Sequence, residues 1–95
     1  MDKIYKIGEE CKLSDLKVTQ AGKLISFDND NKALRRRLLD MGLTKGVEIS
    51  IEMISPLGDP ISIYLRGYHL CLRKSDMENI IVSVTKDYID SKERK

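Results

Sequence analysis

Apolar and polar positions alternate with a period of two in two adjacent runs near the middle of the chain. Ile61, Ile63 and Leu65 alternate with Ser62, Tyr64 and Arg66. After Gly67, Tyr68, Leu70 and Leu72 alternate with His69, Cys71 and Arg73. This is the pattern of strands that bury one face, and a glycine-centred break between two such runs predicts a hairpin. Pro56, Gly58, Asp59 and Pro60 precede it and predict a turn, because proline fixes φ and glycine admits positive φ. Upstream, Val47, Ile49, Ile51 and Met53 alternate with Glu48, Ser50 and Glu52, which predicts the longest strand over 47–54. Gln20 to Phe27 reads as an earlier strand, with Gly22 permitting a bulge or close approach. Ile80, Val82 and Val84 give the last one.

One stretch carries the helical period instead. Leu34, Leu38 and Met41 recur at i, i+4 and i+7, and Leu39 widens the stripe, which predicts a helix over 31–41. Asp30 or Asn31 can cap its start, Gly42 stops it, and Leu43 can fold back on its last turn. Two single turns of helix are expected besides. One is at Leu13-Ser14-Asp15-Leu16 with Ser14 as cap, and one is over 76–79, where Ser75 and Glu78 have capping-box spacing. About five short strands, one helix after the first strand and a helical turn before the last describe an all-β domain. Closing so small a sheet into a barrel removes exposed edges.

Length and composition narrow this further. Ninety-five residues allow one domain, expected over 11–84, with an N-terminal extension over 1–10 and a charged tail over 85–95. A hydrophobic fraction of 41% beside a charged fraction of 34% fits a globular chain, and 5% aromatic residues make the core aliphatic. No apolar run reaches the ~18–20 residues of a membrane span, and residues 1–6 lack the apolar core of a signal peptide, so a cytoplasmic protein without direct membrane insertion is expected. A net charge of +2 is small for a nucleic-acid binder. Arg35, Arg36 and Arg37 can contact phosphate or an acidic partner, but a solvated helix face accounts for them better, and no nucleic-acid partner is expected. Cys11 and Cys71 lack C-x-x-C spacing and read as two reduced thiols.

Candidate chemistry is sparse. His69 and Cys71 lie two apart on a strand, hence on one face, and imidazole with thiolate suits zinc or ferrous iron. A tight site needs further ligands, which Cys11, Glu48 or a second chain can supply; an incidental pair is the alternative. No triad, metal motif or phosphate-cradling loop is present, so an enzyme is not expected, and no cofactor is required beyond a possible transition metal ion. Asp59 can contact a partner or hold its own turn. Tyr64, Arg66, Tyr68 and Arg73 flank the hairpin with Leu57 at the preceding turn tip. Tyrosine and arginine dominate interface hot spots, so these residues with Asp59 form the expected partner-binding set. Tyr68 belongs to the core if it follows the apolar period and to the docking surface if it does not.

The order and spacing of three motifs carry a resemblance. They are Ala33-Leu34-Arg35-Arg36-Arg37-Leu38-Leu39-Asp40-Met41-Gly42-Leu43-Thr44-Lys45-Gly46, then Ser55-Pro56-Leu57-Gly58-Asp59-Pro60-Ile61, then Arg66-Gly67-Tyr68 with Leu70-Cys71-Leu72-Arg73. Together they resemble the FeoA family over about residues 13–84. The resemblance implies an SH3-like barrel and an accessory or regulatory role in ferrous iron uptake. It also implies binding to the cytosolic side of FeoB, the membrane transporter that carries a GTP-binding domain. A related domain ends some metal-dependent repressors; the stand-alone form fits this chain better. The expected protein is a monomer or weak homo-oligomer. The alternative is a metal-sensing domain using His69 and Cys71, with the ion at a dimer interface.

Overall fold

The structure, a computed structural model, describes residues 3–28 and 30–89. Asn29 of the expected polar turn and positions 90–95 of the expected tail lie outside them. Six strands, one α-helix, a short second helix and a single 3-10 turn follow the order β1 (Glu10–Lys12), the 3-10 turn (Leu13–Asp15), β2 (Ala21–Phe27), α1 (Lys32–Asp40), β3 (Glu48–Ile54), β4 (Ile61–Leu65), β5 (Tyr68–Leu72), α2 (Lys74–Met77) and β6 (Ile80–Lys86). All strand pairs are antiparallel, and the sheet order is β1-β6-β2-β3-β4-β5. The sequence pattern suggests about five strands; the sixth is β1, which begins at Glu10, where the extension was expected to end. It is short and has one buried residue, Cys11, so three positions of alternation are too few to stand out. The sheet is open, with β1 and β5 as its edges.

The core is aliphatic. Leu13, Leu24, Leu38, Leu43, Ile49, Ile63, Leu65, Met77, Ile80, Val82 and Val84 are all fully buried. Each strand contributes its apolar parity, and α1 adds Leu38 to the core. Leu39 does not widen the buried stripe as expected; it is exposed, because it is turned 100° around the helix from the buried Leu38. Asn31 accepts from the Leu34 amide at 3.1 Å and so caps the start of α1. At its other end Gly42 has φ +96°, and the Gly42 and Leu43 amides donate to the carbonyls of Leu39 and Leu38, both at 3.0 Å. This Schellman arrangement buries Leu43 against the last turn.

Three further expectations are corrected. Met53 is exposed, because β3 carries a bulge: Ile51 pairs with Ile63 but Met53 with Ser62, so the extra residue ends the inward alternation. α2 starts two residues early, with Arg73 at the N-cap and Ser75 inside the helix, since capping is supplied from elsewhere, as described below. The 3-10 turn is capped by Asp15, whose carboxylate accepts from the Lys12 amide at 3.3 Å, rather than by Ser14. Gln20 gives no signal in the sequence and is completely buried. Its amide oxygen accepts from the Lys17 amide at 3.0 Å and its nitrogen donates to the Tyr5 carbonyl at 2.7 Å, tying the N-terminal segment to the sheet.

Candidate functional site

The β4–β5 hairpin carries most of the expected site residues, and its geometry follows from its turn. Leu65 and Tyr68 pair across a two-residue loop in which Arg66 has φ +48° and Gly67 φ +88°. Positive φ at both positions is what a type I′ turn needs, and its twist matches that of the strands. In such a hairpin the flanking pair exchanges hydrogen bonds, so Ile63–Leu70 and Ile61–Leu72 do so as well. Tyr64–His69 and Ser62–Cys71 are the non-bonded pairs, whose side chains come closer together.

Those two pairs lie on the outer face. The Tyr64 and His69 rings meet edge to face with centroids 4.9 Å apart, and Ser62 Oγ lies 3.4 Å from Cys71 Sγ. His69 Nδ1 is 2.5 Å from Glu52 Oε1 of β3. Since an ionised carboxylate only accepts, Nδ1 is the donor in this contact. Glu52, not Glu48 or Cys11, is therefore the acid beside His69. Glu48 instead accepts from the Thr85 hydroxyl at 2.7 Å. Cys11 is buried on β1, where burial, helped by Asp15 and Glu9, pushes its thiol up to about 11 and keeps it protonated at neutral pH. Both cysteines are free, and Cys71 is exposed. Among the described residues no cluster of three or more histidine, cysteine or acidic side chains is placed to hold a metal.

Tyr68 follows the apolar period yet remains partly exposed. At the edge of the sheet it reaches over Gly42, and its hydroxyl donates to the Met41 carbonyl, one of the acceptors left open at the end of α1. Arg66 donates from the turn to Thr44 Oγ1 at 2.5 Å. Leu57, 96% exposed, stands on the β3–β4 loop at the other end of β4. Asp59 and Arg73 line one shallow cleft there with Pro60. The six expected partner-binding residues thus fall at both ends of the hairpin, with Tyr64 between them on the outer face.

Asp59 does not close on its own turn. Its carboxylate accepts from the Lys74 amide at 2.8 Å, the first residue of α2, and caps that helix from 15 residues away. Replacing Asp59 with alanine is expected to cost about 0.5–2 kcal/mol, with asparagine retaining most of the cap. A lower urea midpoint at unchanged slope would report it.

The FeoA domain family matches residues 11–84. Similar solved structures include a FeoA-like protein from Clostridium acetobutylicum, 36% identical, covering 86% of this chain and 94% of its own, with a TM-score of 0.77. A FeoA protein from Chlorobium tepidum is also 36% identical, over 78% of this chain and 70% of its own, with a TM-score of 0.71. FeoA of Stenotrophomonas maltophilia, described as an SH3-domain protein in complex with zinc, is 26% identical over 80% and 96%, with a TM-score of 0.68. A type I′ hairpin packed on a capped helix, six antiparallel strands and the family match lead to one conclusion: this chain belongs to the FeoA family.

Proposed function

We propose that this protein is an accessory of ferrous iron uptake that acts by binding the cytosolic part of a FeoB-type transporter. Membership of the FeoA family carries the role in ferrous iron transport. The observation that favours binding over chemistry is the hairpin itself. Its exposed side chains are aromatic and cationic recognition groups on a two-strand support, with Tyr64 39% exposed, and Leu57 on the preceding loop is almost wholly so. No described helix is long and apolar enough to cross a membrane, so contact with a transporter is made from outside the bilayer in this reading. The docking surface is taken as Leu57, Tyr64, Arg66 and Arg73, with Asp59 and Tyr68 holding α2 and α1 behind it.

Leu57 and Tyr64 are the informative positions, because neither bonds to the helices. Retention of this chain on the full-length transporter is measured with and without nucleotide and reduced iron. Leu57→Ala and Tyr64→Ala are each expected to weaken retention by about tenfold or more, the loss typical of an interface anchor. Full retention by both variants, or none by the folded wild type in any condition, would overturn the reading.

A further inference from the structure

The family match covers residues 11–84, yet the segments on either side of it are fastened to the domain. The Gly8 amide donates to the Val84 carbonyl at 3.0 Å, and the Val84 amide to the Glu9 carbonyl at 2.9 Å. The Ile7 amide donates to Asp87 Oδ1 at 3.1 Å, which ties the two segments to each other, and the Ile89 amide donates to Thr19 Oγ1 at 2.9 Å. Ile4, Tyr5 and Lys6 consequently share one shallow cleft with Asp87 and Tyr88. These bonds hold the backbone and leave the side chains outside: Ile4, Ile7, Tyr88 and Ile89 are all exposed. Large apolar side chains gathered at the surface mark a place of contact.

A second cleft adjoins the first through Tyr5. Among the described residues it is lined by the lysines Lys3, Lys12, Lys17 and Lys74, by Ser14, and by two acids, Asp15 and Glu78. Asp15 is engaged in capping the 3-10 turn. Glu9, near the rim, accepts from the Lys6 amide at 2.8 Å and pairs with Lys3 at 3.8 Å. The Lys3 ammonium also lies 4.6 Å from the centre of the Tyr5 ring, so this ring joins the basic cleft to the apolar patch.

We propose that this face binds the surface of an anionic phospholipid bilayer. Ile4, Ile7 and Ile89 enter the boundary of the acyl layer, and Tyr5 and Tyr88 lie at the level of the headgroups, where tyrosine concentrates. Lys3, Lys12 and Lys74 meet the lipid phosphates, and no segment crosses the bilayer. Charge selects this occupant over a second copy. Two copies docked through the same face would bring their lysines toward each other, which like-charge repulsion opposes. The inference does not rest on the transporter reading, because its test contains no transporter.

The probe is a vesicle of phosphatidylglycerol and phosphatidylcholine in equal parts, with phosphatidylcholine alone as the comparison. The full wild-type chain is expected to sediment with the first and not the second, and to be released as salt is raised. Lys12→Gln and Lys74→Gln should each weaken retention about fivefold. Ile7→Ser combined with Ile89→Ser should weaken it about tenfold or more. All four side chains are exposed, so circular dichroism should not change. The chain has no tryptophan, so an introduced indole reports its own position. Ile7→Trp should shift its emission to the blue on the anionic vesicles and be quenched by brominated acyl chains. Leu39→Trp should do neither, since Leu39 lies by Phe27, at the end of β2 away from this face. Equal retention on both kinds of vesicle, or no loss in the paired isoleucine variant, would overturn the proposal. A lipid-free dimer that the same isoleucine variant dissolves, with no binding to vesicles, would overturn it in favour of a second copy.

Discussion

Replacing Gly42 with alanine is expected to lower folding stability by ~2–4 kcal/mol, from ~1–2 for a left-handed backbone at a residue with a Cβ and about as much for the contact it breaks. A Cβ at this position would collide with the Tyr68 hydroxyl and lie 3.3 Å from the ring carbon that bears it. The side chain would have to leave the Met41 carbonyl, reopening the end of α1. For a domain of this size the loss corresponds to a fall of roughly 10–30 °C in Tm. Tyr68→Phe removes the hydroxyl alone and should cost about 0.5–1.5 kcal/mol. In that background Gly42→Ala should be milder than in the wild type, because the atom it strikes is gone. A thermal double-mutant cycle measures the difference, and strict additivity would disprove a direct collision.

The second large effect is at Leu38. It is fully buried in the core, while Leu39 beside it is 40% exposed. Leu38→Ala removes the one buried side chain of α1 and is expected to cost roughly 3–5 kcal/mol, the range for truncating a buried leucine. Leu39→Ala should cost less than about 1 kcal/mol. Urea unfolding of both variants gives the comparison, and equal losses would mean that the helix sits a third of a turn from the position described.

These two positions also mark how far the sequence can be read. Gly42 and Leu43 identify a helix stop by chemistry that is local, since the bonds they make return to the preceding turn. The same holds for the Arg66–Gly67 turn and the strands it joins, where period and turn residues agree. What escapes is decided by neighbours distant in the chain. Leu39 fits the helical stripe, and only the seating of its neighbour Leu38 in the core leaves it outside. Met53 fits the strand period, and only a bulge against Ser62 turns it out. Asp59 sits in a turn that an aspartate can hold by itself, yet it serves an amide of α2. Gln20 is a polar residue whose two partners lie 3 and 15 residues away, one of them in a segment without pattern. For the candidate site, the shared face of His69 and Cys71 follows from their spacing. The place of Glu52 beside His69 follows from the alignment of β3 with β4 and β5, which spacing within either strand leaves open.

One property of the sheet bears on how the chain comes to exist at all. β6 lies between β1 and β2, so the first two strands never touch each other and are joined only through the last. During synthesis, everything up to Asn79 can emerge while β1 has no neighbour and β2 has one bare side. Closure waits for residues 80–86 to clear the ribosome. Pairing between the two ends of a chain is the slow step in sheet proteins, because the loop must be closed before any contact repays it. The nascent protein therefore spends most of its translation with an unguarded seam, and the final strand acts as the clasp that ends this exposure.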